Sequence, residues 1–328
     1  MMNSKTNLVC AGIDDGYLWP FLVSIFAAKI HASSDFRVAV GSINGGLSEE
    51  SKKIIESFSH LLNISMEIKD FSLNQNLQTT DLNIQIYTRM LWLDTLEENF
   101  LWLDADTLPL ERWDEIFLLE EGQAEEVTIS AVIYKVIIEN MPKKTLNKAY
   151  IAGGSSYFNA GIFIGNPMRW KKLDFPRVWQ EISRSVEDYG FFHSEQDLLN
   201  YLLAKEKRIL PSEFNAMVMP GSDIKQKILH FTGNPKPWHF TENAKRYFIS
   251  IELLKHPKKG LGAFGGMNWV YEYRNYWRHE EALLDFCKIS SELDSEMVQL
   301  YRISRRELMN RKDKIKSWLL NVSGRKWF

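Results

Sequence analysis

At 328 residues, with 45% apolar and 25% charged side chains, the chain is long enough for a full buried core and has the composition of a soluble globular protein. A net charge of −2 argues against a dedicated nucleic-acid binder, and no run approaches the roughly 20 apolar residues of a membrane span. Two cysteines far apart in sequence, Cys10 and Cys287, read as buried thiols of a reducing compartment, and the opening residues lack a secretory signal, so a cytoplasmic location is expected.

In chain order, Leu8–Ala11 reads as a short apolar strand that ends at the turn Gly12-Ile-Asp-Asp-Gly-Tyr17. Bulky apolar residues at helical spacing predict a helix over Trp19–Ile30. A second strand over Phe36–Val40 is closed by Gly41 and Asn44-Gly45-Gly46. Ser51–Leu62 reads as a helix, Ile64–Ile68 as a third strand, 72–83 as a polar loop, Ile84–Leu96 as a helix and Phe100–Leu103 as a strand. Further on, a strand is expected within Val127–Val136, a loop over Glu139–Lys148, and a strand over Tyr157–Ile164 interrupted by Asn159-Ala160-Gly161. Helices follow over Pro176–Val186 and Glu195–Ala204, the second opened by Ser194, with a Pro-rich loop over 228–240. Strands alternating with helices predict an α/β fold with a mainly parallel sheet covered on both faces. Ligands bind such sheets outside the carboxyl ends of the strands, where Asp14, Asp15 and Asp104 lie.

Residues 100–110, Phe-Leu-Trp-Leu-Asp-Ala-Asp-Thr-Leu-Pro-Leu, carry most of the chemical information. Asp104 and Asp106 are one residue apart at the end of a buried strand, and residues i and i+2 of a strand share a face. Two carboxylates directed into one crevice repel, so a divalent cation is their natural companion, with hard oxygen ligands suited to Mg²⁺ or Mn²⁺. Two other readings compete. The pair, with Glu111 and Asp114, suits the N-terminus of a following helix. Asp-Ala-Asp-Thr-Leu also resembles the nucleophile motif of haloacid-dehalogenase-type phosphatases.

Four more segments bear on the choice. Ala11-Gly-Ile-Asp-Asp-Gly-Tyr17 places a tyrosine on a turn, suited to stacking a base, beside acids suited to ribose hydroxyls. Tyr157-Phe-Asn-Ala-Gly-Ile-Phe-Ile-Gly-Asn166 sets an amide and a glycine inside an apolar strand, which is locally costly; a β-bulge is the plainer account. Ser194-Glu-Gln-Asp-Leu-Leu-Asn200 puts three ligand-capable side chains at a helix start, where capping is the plainer account. His230-Phe-Thr-Gly-Asn-Pro-Lys-Pro-Trp238 offers an imidazole for an oxygen-rich metal shell, a glycine for close approach and a lysine for phosphate.

Together these segments resemble, in order and spacing, glycosyltransferase family 8, which includes bacterial lipooligosaccharide galactosyltransferases and glycogenin. The likeness runs over roughly residues 7–240. The resemblance implies a GT-A fold, a nucleotide-sugar-binding α/β sandwich, over 1–245, followed by a helical, basic-aromatic region over 246–328. It implies that Asp104, Asp106 and His230 bind Mn²⁺ (or Mg²⁺), that Tyr17 stacks on uracil with Asp14 nearby, and that Arg89 touches the donor. Asn159, Gly161, Gln196 and Asp197 are implied around the sugar, with Gly233 and Lys236 closing over the diphosphate. It thus implies a retaining transfer of galactose or glucose from a UDP-hexose donor to a glycan or glycolipid acceptor. Where close relatives have Asp-Gln-Asp this chain has Glu195-Gln196-Asp197, and Gly16 stands where some carry asparagine; the first bears on donor identity. The phosphatase reading lacks its expected later acidic pair, for which Gly221-Ser-Asp223 is a poor stand-in. A non-catalytic sugar-nucleotide binder is the remaining alternative, against which every expected metal ligand is retained.

From Tyr301 to Phe328 nine basic residues stand against two acidic ones, +7 in a chain of net −2. Trp269, Tyr271, Tyr273, Tyr276, Trp277, Trp318, Trp327 and Phe328 belong to the same C-terminal region. Basic and aromatic residues on helices suit an anionic membrane surface; packing of the aromatics on the main domain is the plainer account.

Overall fold

The computed structural model describes residues 6–73, 84–119, 128–133, 157–173, 194–217, 226–232, 236–240, 245 and 268–289. The described strands are β1 (Asn7–Gly12), β2 (Phe36–Ile43), β3 (Met66–Phe71), β4 (Phe100–Leu103), β5 (Thr107–Pro109), β6 (Ile129–Ile133), β7 (Phe158–Gly165), β8 (Lys207–Ile209), β9 (Ala216–Met217) and β10 (Ile228–His230). The α-helices are α1 (Leu18–His31), α2 (Glu49–Leu62), α3 (Thr88–Thr95), α4 (Glu115–Leu118), α5 (Pro167–Trp170), α6 (Ser194–Leu202) and α7 (Asn268–Ile289). Two compact units divide the chain, one comprising Met1–Ala216 with Ile224–His230, the other Met217–Asp223 with Phe231–Phe328.

In the first unit seven strands form one sheet in the order β3-β2-β1-β4-β7-β6-β8. β1, β2, β3 and β4 are mutually parallel, β7 runs against both β4 and β6, and β8 is parallel to β6. The sheet is therefore mainly parallel, as the alternation of elements predicts. Burial follows from the sequence: β4 and β7 are buried at every position, so both faces must be covered. α1 is buried continuously from Leu18 to Ala28, the signature of a core helix rather than an amphipathic one. α2 is the contrasting case, burying Ile54, Ile55, Phe58 and Leu62 on one face. Ser48 caps it by accepting from Ser51 N, and Asn63 ends it in the left-handed region at φ 50°. Each fully buried leucine or phenylalanine here contributes about 1.5–3 kcal/mol.

Several boundaries differ from expectation, each for a local reason. β2 does not stop at Gly41 but continues to Ile43, because Gly41 is a packing residue: a Cβ there would lie 2.2 Å from Thr88 Cγ2. The helix expected over 84–96 is a 3₁₀ turn (Ile84–Tyr87) followed by α3, and Gln85 pairs with the backbone N–H and C=O of Ile43 at 2.8 and 3.1 Å. β7 is one strand over Phe158–Gly165, but the interruption expected at Asn159–Gly161 is present as a bulge: its pairing with β6 slips between Ala131↔Phe163 and Ile133↔Phe158. Its register with β4 ends at Leu103↔Ile162, one further backbone bond runs from Asp104 N to Gly161 O at 2.8 Å, and side chains from α6 bond the bulged segment. Asn200 bonds the N–H and C=O of Phe158 at 2.8 and 2.9 Å, and Gln196 accepts from Ala160 N at 3.0 Å. The expected helix over 176–186 and loop over 139–148 lie outside the described residues.

In the second unit the 3₁₀ turn Pro237–His239 and α7 share an aromatic core. Phe231 meets Tyr273 and Tyr276 edge-on, Phe240 meets Tyr273 and Trp277, and Trp277 Nε1 donates to Pro237 O at 2.9 Å. Tyr273, Tyr276 and Trp277 are thus buried in packing. Lys245 and Glu280 form a buried ion pair in the same unit. No helix among the described residues is long and apolar enough to cross a membrane. Both Cys10 and Cys287 are free, buried thiols.

Candidate active site

The acidic pair does not sit on a strand. β4 ends at Leu103, and Asp104-Ala105-Asp106 form a turn closed by Thr107 N donating to Asp104 O at 3.1 Å. The expectation from strand alternation is corrected here: it is the turn that brings both carboxylates to one side. The turn leads into β5, not a helix, so the helix-cap reading also falls. Asp114, the residue before α4, makes no cap bond either. Its Oδ2 instead accepts from the backbone and hydroxyl groups of Ser33 and Ser34 at 2.8–3.0 Å, bonds that hold its carboxyl below the usual range against the opposing effect of burial.

β10 pairs antiparallel with β5, setting His230 opposite Thr107 and so beside Asp106. His230 Nε2 is 3.3 Å from Asp106 Oδ1 and 3.9 Å from Asp104 Oδ2, and one ligand atom from each residue lies within 4.8 Å of the others. Two donors sharing a cation at about 2.1 Å stand about 3 Å apart when at right angles, so this donor set fits one Mg²⁺- or Mn²⁺-type ion.

Asp104 is oriented for that role. Trp102 Nε1 and Arg89 Nη2 both donate to its Oδ1, at 2.7 and 2.9 Å, leaving Oδ2 turned toward His230. Burial raises the Asp104 pKa and Arg89 opposes the rise; the neighbouring Asp106 raises it further. Arg89 is itself buried, donating also to Ala160 O at 2.8 Å and approaching Glu195 Oε1 at 3.4 Å. Its guanidinium is thus an internal brace that lines the cleft. Burial pushes the Glu195 carboxyl up to about 7, with Arg89 pulling the other way.

Gly161 admits close approach, but what approaches is the protein itself. A Cβ at Gly161 would stand 2.1 Å from His230 Cε1 and 2.8 Å from Asp104 Oδ2. Asn159, Gln196 and Asp197 are likewise buried; the first two are bonded directly, and Asp197 joins them through Tyr157. Gln196 Oε1 accepts from Asn159 Nδ2 and Ala160 N at 3.1 and 3.0 Å, and its Nε2 donates to the Tyr157 hydroxyl at 3.0 Å. That hydroxyl lies 2.6 Å from Asp197 Oδ1. Asn159 Oδ1 accepts from Asn215 Nδ2 at 3.0 Å, and Asn215 Oδ1 meets His230 Nδ1 at 3.0 Å. A continuous line of polar side chains therefore runs from Asp197 to His230.

At the end of β1, Asp14 caps the 3₁₀ turn Asp15–Tyr17 by accepting from Tyr17 N at 3.1 Å. Asp15 ties the turn to α2, accepting from Ser48 N and from the Ser51 hydroxyl at 2.9 and 2.6 Å. One cleft is lined by Gly12, Asp14 and Tyr17 on this side and by Arg89, Trp102, Asp104 and Asp106 on the other. Gly233 lies outside the described residues. Lys236 belongs to the second unit, where its ammonium group donates to Phe231 O. The sequence reading missed Trp102 and Asn215: one resembles any core aromatic, and the other stands alone in a 3₁₀ turn (Ser212–Asn215) with no motif around it.

The methyl group of Gly161→Ala would displace His230 and Asp104 from their present positions, so affinity for a Mn²⁺ probe, measured by electron paramagnetic resonance, should weaken at least about tenfold in a folded variant. Unchanged binding would contradict the steric account. Glu195, ionising near 7 in the fold against an ordinary 4.5, binds its proton more tightly folded than unfolded. Its ionisation therefore subtracts stability increasingly as pH rises from about 4.5 through 7. Without metal, Glu195→Gln should gain stability relative to wild type across that window in urea titrations; a pH-independent difference would contradict it.

The glycosyl transferase family 8 profile matches residues 8–242. A lipopolysaccharide 1,2-glucosyltransferase of Escherichia coli (strain K12) is 24% identical over 269 residues, covering 74% of this chain and 77% of that protein. Another from Escherichia coli is 26% identical over 194 residues, covering 51% of this chain and 54% of that protein. Among solved structures, galactosyltransferase LgtC in complex with donor and acceptor sugar analogues matches with a TM-score of 0.57 at 21% identity, over 77% of this chain and 98% of that one. Glycosyltransferase GlyE of Streptococcus pneumoniae TIGR4 matches with a TM-score of 0.57 at 16% identity, over 90% of this chain and 64% of that one. The structural likenesses speak for the fold, which is the GT-A arrangement expected from the motifs. The profile, in contrast, spans most of the sequence, including all three candidate cation ligands, and the chain belongs to glycosyltransferase family 8.

Proposed function

We propose that the chain transfers a hexose, galactose or glucose, from a UDP-sugar to a hydroxyl of a glycan acceptor with retention of anomeric configuration. The acceptor in this reading is a bacterial cell-surface lipid-linked oligosaccharide. One observation carries it: in a family 8 chain, Asp14 and Tyr17 share a cleft with Asp104 and Asp106, and His230 closes on both carboxylates. The names of the Escherichia coli relatives, and the donor and acceptor analogues bound to LgtC, support the same class of reaction. Family membership sets aside the phosphatase alternative.

In this reading Asp104, Asp106 and His230 hold Mn²⁺, with Mg²⁺ the alternative. Bound there, the ion supplies positive charge against the diphosphate of the departing UDP. Tyr17 stacks on the uracil and Asp14 holds the turn that presents it. Arg89 keeps Asp104 aimed. Asn159, Gln196 and Asp197 stiffen the wall beside the sugar.

A covalent route needs a nucleophile beneath the anomeric carbon, as in retaining glycosidases. Gln196 is poorly suited, since its carbonyl oxygen already accepts two N–H donors. We therefore favour a same-face displacement in which the leaving phosphate helps to take the acceptor proton. Gln196→Ala should then retain measurable transfer; a glycosyl adduct trapped on Gln196 of the wild type would contradict it.

The direct test is UDP release from UDP-galactose and UDP-glucose, with and without Mn²⁺, comparing wild type with Asp106→Asn. Metal-dependent turnover of one donor, reduced about 100-fold or more by the substitution, is expected. Absence of turnover and of UDP binding would refute the proposal. We further propose that the +7 segment from Tyr301 to Phe328 makes peripheral contact with anionic membrane. Removing residues after about 295 should then release the protein from anionic vesicles while UDP binding survives; unchanged sedimentation with vesicles would count against it.

A further inference from the structure

The line of amides between β7 and His230 is anchored on backbone N–H groups, and those anchors fix the protons along it. Gly161 N lies 3.0 Å from Asn159 Oδ1, and a backbone N–H only donates, so the atom it meets is the amide oxygen. Asn215 must then turn its NH₂ toward that same oxygen, at 3.0 Å. Its own oxygen is left facing His230 Nδ1 at 3.0 Å, and an amide oxygen only accepts. His230 therefore carries its proton on Nδ1. A neutral imidazole protonated there has a bare Nε2, the atom 3.3 Å from Asp106 Oδ1.

The far end obeys the same logic. Ala160 N donates to Gln196 Oε1, so Gln196 offers its NH₂ to the Tyr157 hydroxyl, which must send its proton to Asp197. Asn159 bridges the two halves through both ends of its amide. Asn159, Asn215 and His230 are all buried, so no water competes for these choices.

We propose that Asn215 is a positioning residue for cation binding: it selects the Nδ1–H tautomer of His230 and fixes the ring so that Nε2 faces the two aspartates. A metal-ligating histidine needs its second nitrogen held in this way, and the acceptor is here an asparagine whose own orientation is dictated by the strand backbone through Asn159. The inference rests on reading His230 as a cation ligand.

The experiment uses the full chain, with Asn215→Leu and Asn215→Asp as variants. In the metal-free protein, ¹⁵N spectra of the imidazole report the tautomer. Electron paramagnetic resonance of Mn²⁺ alone reports affinity. Wild type should show His230 protonated on Nδ1. Asn215→Leu should lose that preference and about 10–100-fold in Mn²⁺ affinity. Asn215→Asp keeps an acceptor for Nδ1–H and should restore the tautomer and most of the affinity. A wild-type His230 protonated on Nε2 would overturn the proposal without any variant having to fold. So would a folded Asn215→Leu protein that binds Mn²⁺ as wild type does. Failure of wild type to bind Mn²⁺ while His230 still shows the Nδ1–H form would instead overturn the ligand role on which the inference stands.

Discussion

Two carboxylates held side by side in a half-buried turn repel each other, and the first unit is built around containing that repulsion. Asp104 and Asp106 cannot be relaxed into water, because the turn carrying them is clamped between β4 and β5. Three kinds of group answer the charge: donors from Trp102 and Arg89, an imidazole from β10, and the site between them that suits a divalent ion. The strand order follows the same need. Placing β4 between β1 and β7 puts the acidic turn beside both the Asp14–Tyr17 loop and the Asn159–Gly161 segment.

Arg89 shows how one buried cation serves several purposes. It orients Asp104, bonds the Ala160 carbonyl and lies close to Glu195, so strand β7, helix α6 and the acidic turn share a single guanidinium. A planar fork with several donors suits such a junction in a way that a lysine does not. Glu195 lies 3.4 Å from this guanidinium and so belongs to the brace behind the site.

Local patterns were the legible part of the sequence. Continuous apolar runs marked β1, β4 and β7, and helical spacing marked α1 and α2, because burial on both faces or on one face leaves a signature in a single segment. The acidic pair and the histidine loop were legible as motifs. What escaped was any choice made by a distant residue. Gly41 read as a strand end, yet it serves packing against Thr88. Gly161 read as part of a bulge, and nothing local showed that His230 and Asp104 fill the space a side chain would take there. Asn215 carried no signal, since its partners Asn159 and His230 are 56 and 15 positions away. The aromatics of α7 suited a membrane surface by composition, and Tyr273, Tyr276 and Trp277 instead form a core with Phe231 and Phe240.

The proposed function depends on one divalent cation between the acidic turn and His230. Anomalous X-ray diffraction from crystals soaked in Mn²⁺ tests it most directly. A single strong peak is expected within about 2.0–2.4 Å of Asp104 Oδ2, an Asp106 carboxylate oxygen and His230 Nε2. Crystals that show no peak there, or a peak that excludes His230 from its coordination shell, would contradict it.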